Sequence, residues 1–136
     1  MTFEELDRRF PNGFDDAKIS GVTIDYNSRT ATLRLNLRGN PPDSRERDVY
    51  SPAVLRAREI YYFSIEPPDS DHLFPQRSSP ITVDGHPEDP RDFPLFGQLK
   101  LRMPASAFCC RFYVYDWNSF IHIAAVDAEF SWGDGD

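Results

Sequence analysis

The stretch from residue 108 to residue 132 constrains the fold of this chain most, because aromatic, branched and small residues run through it almost without interruption. Large side chains alternate on both faces from Phe108 to Val114, which predicts a central strand covered on both sides. Residues 116–119, Asp-Trp-Asn-Ser, predict a tight turn, and residues 120–125 predict a returning strand with two apolar faces. Apolar and polar residues then alternate as far as Trp132, so we expect one solvent-exposed face there.

The composition indicates a single β-rich domain. A chain of 136 residues can bury roughly two thirds of the surface that its unfolded form exposes, which suffices for one core. Twelve prolines against seven glycines favour strands and ordered loops over long helices. We therefore predict one globular domain over residues 1–136. We expect it to be mainly β, β-sandwich-like or α+β, with antiparallel sheets of about eight strands and a short N-terminal helix.

Local patterns place the first elements. Residues 2–5, Thr-Phe-Glu-Glu, have the spacing of a capping box and predict a short helix. A strand is expected to open at Phe14, with a bulge near Ser20 and Gly21 because the apolar phase changes there. A polar turn follows, and the clean alternation of residues 31–38 predicts the second strand of a hairpin.

The middle of the chain alternates between polar, proline-rich segments and short apolar stretches. Residues 39–48 are polar and proline-rich, which predicts an exposed loop. Residues 53–57 and 60–65 are apolar but out of phase, so they form two strands or one strongly bulged strand, with a helix over 52–60 as the alternative. Residues 67–94 predict a long loop with one short strand at 81–83 before an Asp84-Gly85 turn. Apolar residues at 99, 101 and 103 then alternate with polar ones in the manner of a strand.

The charge distribution limits the classes of partner that the protein can bind. The net charge is −7, and residues 67–136 hold five basic and eleven acidic groups against ten and eleven in residues 1–66. An acidic second half argues against nucleic acid or an anionic membrane as a partner and permits a basic protein. No apolar run approaches the roughly 20 residues that a spanning helix needs, and residues 1–10 lack a signal-peptide core, so we expect a cytoplasmic protein.

The residues that could carry chemistry form no known motif. Cys109 and Cys110 point to opposite faces of a strand, so we expect both to be reduced and buried as small hydrophobic residues. No nucleophile signature surrounds the three histidines. The loop offers metal-ligand types, but their spacing matches no zinc or calcium pattern. These loop residues are Asp69, Asp71, His72, Asp84, His86, Glu88 and Asp89. We therefore predict no catalytic residue, no metal site and no cofactor.

Polar and aromatic residues at turns are better candidates for a binding site than for a catalytic one. Asp15 and Asp16 are the best paired carboxylates, although neighbours on a strand diverge, which favours one capping the turn while the other faces solvent. Trp117 lies in a turn and is the aromatic residue best placed for recognition. His122, between two isoleucines, is typical of a hydrogen-bonded core or interface histidine. The predicted partner-binding residues are Asp15, Asp16, Asp116, Trp117, Asn118 and His122.

Two segments suggest a family. The first segment is residues 12–17, Asn-Gly-Phe-Asp-Asp-Ala, with Ile19 and Ile24-Asp25-Tyr26 after it. The second segment is the run 115–125. The first resembles the hydrophobic-His-Asp-Ala strand opening of small bacterial β-domain families, some of which are predicted immunity proteins of toxin systems. The position of the family's histidine is Asp15 here, where this sequence departs from the family's pattern. The resemblance implies a compact cytosolic β-rich domain that neutralises a toxin.

Three functional hypotheses follow. The preferred one is a non-enzymatic protein-binding module, of which an immunity protein against a basic toxin is one instance. The alternative is a carboxylate- or metal-assisted hydrolase that uses Asp15, Asp16, His86 or His122. The third is a structural homodimer in which the two-sided strand pairs with a copy of itself.

Overall fold

A computed structural model describes residues 1–69, 81–93 and 96–134, and its main feature is a closed barrel of antiparallel strands. The strands are β1 Phe14–Asp25, β2 Thr30–Arg38, β3 Tyr50–Ile65, β4 Ile81–Pro87, β5 Phe108–Val114 and β6 Ser119–Trp132. They pair in the order β1-β2-β3-β6-β5-β4, and β4 returns to β1 to close the barrel. Helix α1 Phe3–Asp7, a 3₁₀ turn Pro90–Asp92 and helix α2 Phe96–Leu99 complete the described elements.

The core fills the barrel. Inward-facing side chains of all six strands form one apolar cluster, as the alternation along each strand requires. Helix α1 adds Phe3 and Leu6 to this cluster, and the Phe3 ring stacks on Phe14 with centroids 4.8 Å apart. Residues of this cluster that are fully buried include Phe14, Leu33, Val83, Phe112 and Ile123. The protein is therefore mainly β, as the composition predicts.

Several local predictions are confirmed. Thr2 and Glu5 form the capping box of α1, with reciprocal bonds between their side chains and backbone amides. The register of β1 against β2 shifts between Ile19 and Gly21, where the bulge was expected, and β1 and β2 form the predicted hairpin. Both cysteines are free and buried. Cys110 faces the barrel core, and Cys109 lies in a second cluster on the outside with Phe93, Leu99 and Ala124.

The prediction of a sandwich or α+β arrangement with about eight strands is wrong. The apolar stretches at 53–57 and 60–65 belong to one strand, β3, and those at 120–125 and 126–132 belong to β6. Both strands are long, with 16 and 14 residues, and the β3–β6 register shifts between Ile60 and Tyr62. Bulges bend a strand and increase its twist, which lets one sheet close on itself. The alternative of one strongly bulged strand is therefore confirmed, and the helix alternative for 52–60 is wrong because β3 spans those residues.

Two further local predictions are corrected. Asp84-Gly85 is not a turn, because β4 continues through it to Pro87. Gly85 faces the core, where an added Cβ would lie 2.5 Å from Phe112 Cε1 and 2.9 Å from Phe14 Cβ, so glycine serves close packing there. The alternation at 99–103 is not a strand, since α2 and a following turn occupy that region.

No helix in the described part of the chain is long and apolar enough to cross a membrane.

Candidate functional site

A second bulge in β1 shapes the candidate site. Phe14 pairs with Gly85 and Ala17 with Val83, so two residues of β1, Asp15 and Asp16, lie opposite Asp84 alone. Phe14 and Ala17 both belong to the core, and both aspartates between them therefore reach the outside of the barrel. Asp16 adopts a positive φ of 52°, which Asp tolerates better than most residues. The two side chains still reach different partners, since Asp15 lies against His86 and Asp16 lies near Arg38 and Tyr50.

Four carboxylates gather around this bulge with Tyr115, and we call them the acidic surface: Asp15, Asp16, Asp84 and Asp116. Asp84 is the centre of the set. One of its oxygens accepts the backbone N–H of Asp16 at 2.6 Å, and the other accepts the hydroxyl of Tyr115. Asp116 accepts the backbone N–H of Thr82 at 3.3 Å. Strand backbone and turn therefore hold these side chains in place.

His86 joins the acidic surface from β4. Its Nε2 lies 3.1 Å from Oδ1 of Asp15, and both side chains are about half exposed, 50% and 54%. One donor atom from each of Asp15, Asp84 and His86 can be chosen so that all three lie within 4.8 Å of one another. We call these three residues the exposed histidine cluster. Their atoms can bind a proton, a cation or a positively charged side chain from solvent.

A concavity adjoins the cluster. Asp16, Thr82, Tyr115 and Asp116 line an open hollow of about 440 Å³. Among the described residues, two cations lie nearby: Lys18 donates to the Thr82 hydroxyl at 2.7 Å, and Arg38 lies 3.7 Å from Asp16. Asp16 and Asp116 supply carboxylates to the hollow itself, and Asp84 bonds the Tyr115 hydroxyl at its edge, so the hollow offers oxygen acceptors to a positively charged ligand group.

Two phenols keep their protons in this environment. The hydrogen bond to Asp84 raises the pKa of Tyr115 to about 12, so its hydroxyl donates at neutral pH. Burial, followed by the nearby Asp16 charge, raises the pKa of Tyr50, whose hydroxyl donates to the Asp16 carbonyl at 3.0 Å. Burial likewise raises the pKa of Asp7, although the N–H of Phe14 opposes the shift. Tyr50 and Asp7 thus bond the backbone at Asp16 and Phe14, and Tyr115 bonds the side chain of Asp84.

The β5–β6 turn is built differently from the sequence-based prediction. The Trp117 side chain is half-buried and packs against the barrel core. Asn118 is exposed with a φ of 46°, accepts the Tyr113 hydroxyl at 2.6 Å and donates to Asp69 at 3.1 Å. Trp117 therefore anchors the turn, whereas Asp116 and Asn118 present polar groups to solvent.

His122 lies elsewhere, on the outer side of β6. Its Nδ1 is 3.1 Å from Glu88 and its Nε2 is 3.0 Å from Glu66, and we call these three residues the buried histidine cluster. The side chains of His122 and Glu88 are only 5% and 2% exposed, and Phe93 and Phe120 flank the ring. A neutral imidazole has one N–H, so both contacts are hydrogen bonds only when an additional proton is present. We assign this cluster to structure rather than to the binding role predicted for His122.

The loop residues considered as metal ligands separate in the structure. Asp84 and His86 join Asp15, whereas Asp69 bonds Asn118 and Glu88 bonds His122. Asp89 pairs with Arg91, whose hydrogen bonds lower the pKa of that carboxyl to about 2. The positions of Asp71 and His72 lie outside the described residues.

Sequence reasoning missed the link between Asp84, Tyr115 and the aspartate pair. The spacing of the apolar residues Phe14, Ala17 and Ile19 indicates the bulge that brings the aspartates together. Phe14 and Ala17 are three positions apart, whereas a regular strand places core residues two positions apart, as with Ala17 and Ile19. The pairing of β1 with β4 has no local signal, since it depends on closure of the barrel.

Comparisons with protein-family models, with curated proteins and with solved structures find no match to this chain. The immunity-protein resemblance therefore stays a prediction, and the geometry alone supports the functional argument.

Proposed function

We propose that this protein is a binding module that holds a basic protein partner against the acidic surface. The observation that carries the proposal is the grouping of four carboxylates and an exposed tyrosine at the β1 bulge, where Asp16, Asp116 and Tyr115 line an open hollow. Complementary charge steers association and fixes the register of two surfaces, and Tyr and Arg are enriched where partners meet. A lysine or arginine of the partner fits the hollow between Asp16 and Asp116, beside the Tyr115 ring.

Neutralisation of a basic toxin is the specific form of this proposal. An inhibitor acts by occupying the partner's cationic surface, and this requires no chemistry in the inhibitor itself. The buried thiols agree with that view: burial raises the pKa of Cys109 to about 11 and that of Cys110 well above its ordinary value, so neither is an activated nucleophile.

A carboxylate- or metal-assisted hydrolase is the second candidate. The observation that favours it is the approach of His86 to Asp15 and Asp84, which assembles an imidazole and two carboxylates on one exposed surface. The homodimer hypothesis has weaker support, because β5 already pairs with β4 on one side and β6 on the other.

Site-specific photo-crosslinking tests the binding proposal. A photoreactive phenylalanine analogue replaces Tyr115 in one variant and Tyr26 in a control, since both are exposed tyrosines in turns and Tyr26 follows the opposite end of β1. We expect extracts of the source cells to yield a basic protein crosslinked through position 115. Equal crosslinking of that protein through position 26 would contradict the proposal.

The purified complex then provides a quantitative test. The double variant Asp16→Asn/Asp116→Asn removes two charges from the hollow, and Asn also tolerates the positive φ at position 16. We expect the affinity to fall by about tenfold or more. The control Glu59→Gln/Asp134→Asn removes two exposed charges elsewhere and should leave the affinity unchanged. An equal loss in both variants would leave only a general charge effect and would refute the assigned surface.

A further inference from the structure

We propose that the exposed histidine cluster, Asp15, Asp84 and His86, is a binding site for a divalent cation of the zinc type. The three donors come from paired strands rather than from a flexible loop. Asp84 and His86 are two residues apart on β4 and lie on its outer face, because Gly85 between them faces the core. The β1 bulge brings Asp15 next to them. Barrel closure thus assembles the site.

The separations suit one metal ion. Zinc lies about 2.0–2.2 Å from imidazole nitrogen and carboxylate oxygen, so two donors on a tetrahedral ion are roughly 3.4 Å apart. The Asp15–His86 pair, at 3.1 Å, is within a few tenths of an ångström of this spacing. The full set lies within 4.8 Å, and side-chain rotations of the half-exposed Asp15 and His86 bring the donors the remaining distance.

The neighbours of Asp84 hold it ready for coordination. The Asp16 N–H and the Tyr115 hydroxyl each occupy one lone pair of its carboxylate, and each oxygen has a second lone pair for an ion. Outer partners of this kind fix the orientation of metal ligands and contribute to affinity. They also distinguish Asp84 from the freely rotating carboxylates found on most acidic surfaces.

The donor set selects the class of cation. An imidazole together with two carboxylates suits zinc and its first-row neighbours, whereas calcium and magnesium prefer oxygen donors alone. Three protein donors leave at least one position for water or a ligand, as in sites where the metal acts on a bound molecule. The inference concerns the purified chain and does not depend on the proposed basic partner, so either can fail without the other.

Calorimetric titration of the purified protein with zinc chloride tests the site. We expect one zinc ion per chain and a loss of about 100-fold or more in affinity for His86→Ala, which removes the single nitrogen donor. Glu59→Gln, an exposed charge loss outside the cluster, should bind like the unmodified protein. Circular dichroism of each metal-free variant shows whether it is folded before titration.

One further variant makes the result decisive. Tyr115→Phe removes an outer partner of Asp84 without removing a donor, and we expect about a tenfold loss in zinc affinity. Zinc binding that persists unchanged in His86→Ala would overturn the assignment, as would the absence of binding at millimolar zinc.

Discussion

The two histidine clusters contain the same chemical groups in opposite surroundings. In the exposed histidine cluster, His86 meets Asp15 in solvent, with both side chains about half exposed. In the buried histidine cluster, His122 is enclosed between Glu66 and Glu88 at 3.0 and 3.1 Å, under two aromatic rings. Both nitrogens of His122 are occupied, whereas the exposed donors can still accept a ligand. Accessibility, rather than residue type, separates a candidate site from a structural element.

This difference has an energetic counterpart. A half-exposed ion pair is screened by water and contributes little to stability, usually about 0–1 kcal/mol. A buried pair is costly to form, and removing one partner leaves the other charge without compensation, at a cost of about 3–5 kcal/mol. The exposed cluster can therefore be altered to test binding, whereas the buried cluster must stay intact for the fold.

The largest effect should follow from His122→Ala. This change leaves the Glu88 carboxylate buried without its imidazole, so we expect the free energy of unfolding to fall by about 3 kcal/mol or more. His86→Ala is the matched control and should change stability by no more than about 0.5 kcal/mol. Urea unfolding of both variants measures the difference, and equal losses would remove the distinction between the clusters.

A somewhat smaller loss is expected from Gly85→Ala. The added methyl group would press on Phe112 and Phe14 inside the barrel, directly beneath the exposed cluster, at a cost of about 1–3 kcal/mol. Thermal unfolding should show a lower midpoint than for Gly97→Ala, where the new Cβ meets no neighbour within 4 Å. An unchanged midpoint for Gly85→Ala would contradict the close packing that supports the site.

Trp117→Ala should cost about 2 kcal/mol, because the indole is half-buried against the core. The sequence-based interpretation of Trp117 as a recognition residue predicts nearly intact folding instead. The free energy of unfolding of Trp117→Ala, measured in denaturant, distinguishes the packing role from the recognition role. Asn118→Gly, in the same turn, provides a comparison that changes an exposed side chain and keeps a residue that tolerates the positive φ at that position.

The thiols of the two cysteines should be almost unreactive in the native protein. Burial raises the pKa of Cys109 to about 11 and that of Cys110 well above its ordinary value, so both thiols stay protonated at pH 8. A chromogenic disulfide reagent should leave the native protein unmodified and react with two thiols after unfolding in denaturant. Rapid reaction of either thiol in the native protein would contradict its assignment to packing.

Local signals in the sequence predicted much of the secondary structure. The capping box at Thr2 and Glu5, the bulge near Gly21 and the first hairpin each depend on residues close in the chain. Closure of the barrel could not be predicted, because β1–β4 pairing joins residues about 65 positions apart and has no pattern of its own.

The candidate site was predictable only in part. Asp15, Asp16 and Asp116 were identified by residue type, but their convergence with Asp84 and His86 depends on the bulge and on strand pairing. The Asp84-Gly85 pair was misleading, since the sequence signal of a turn is the same as that of a glycine required by packing. The burial of His122 followed from its apolar neighbours, whereas its two carboxylate partners come from distant segments.

Chemical modification of the histidines tests the central claim most directly. Diethyl pyrocarbonate modifies accessible imidazoles, and peptide mass spectrometry measures the extent at each histidine of the native protein. We expect His86 to be modified readily and His122 to be protected until the protein unfolds, in keeping with their 50% and 5% side-chain exposure. Modification of His122 at a rate similar to that of His86 in the folded protein would contradict the division between an open and a closed cluster.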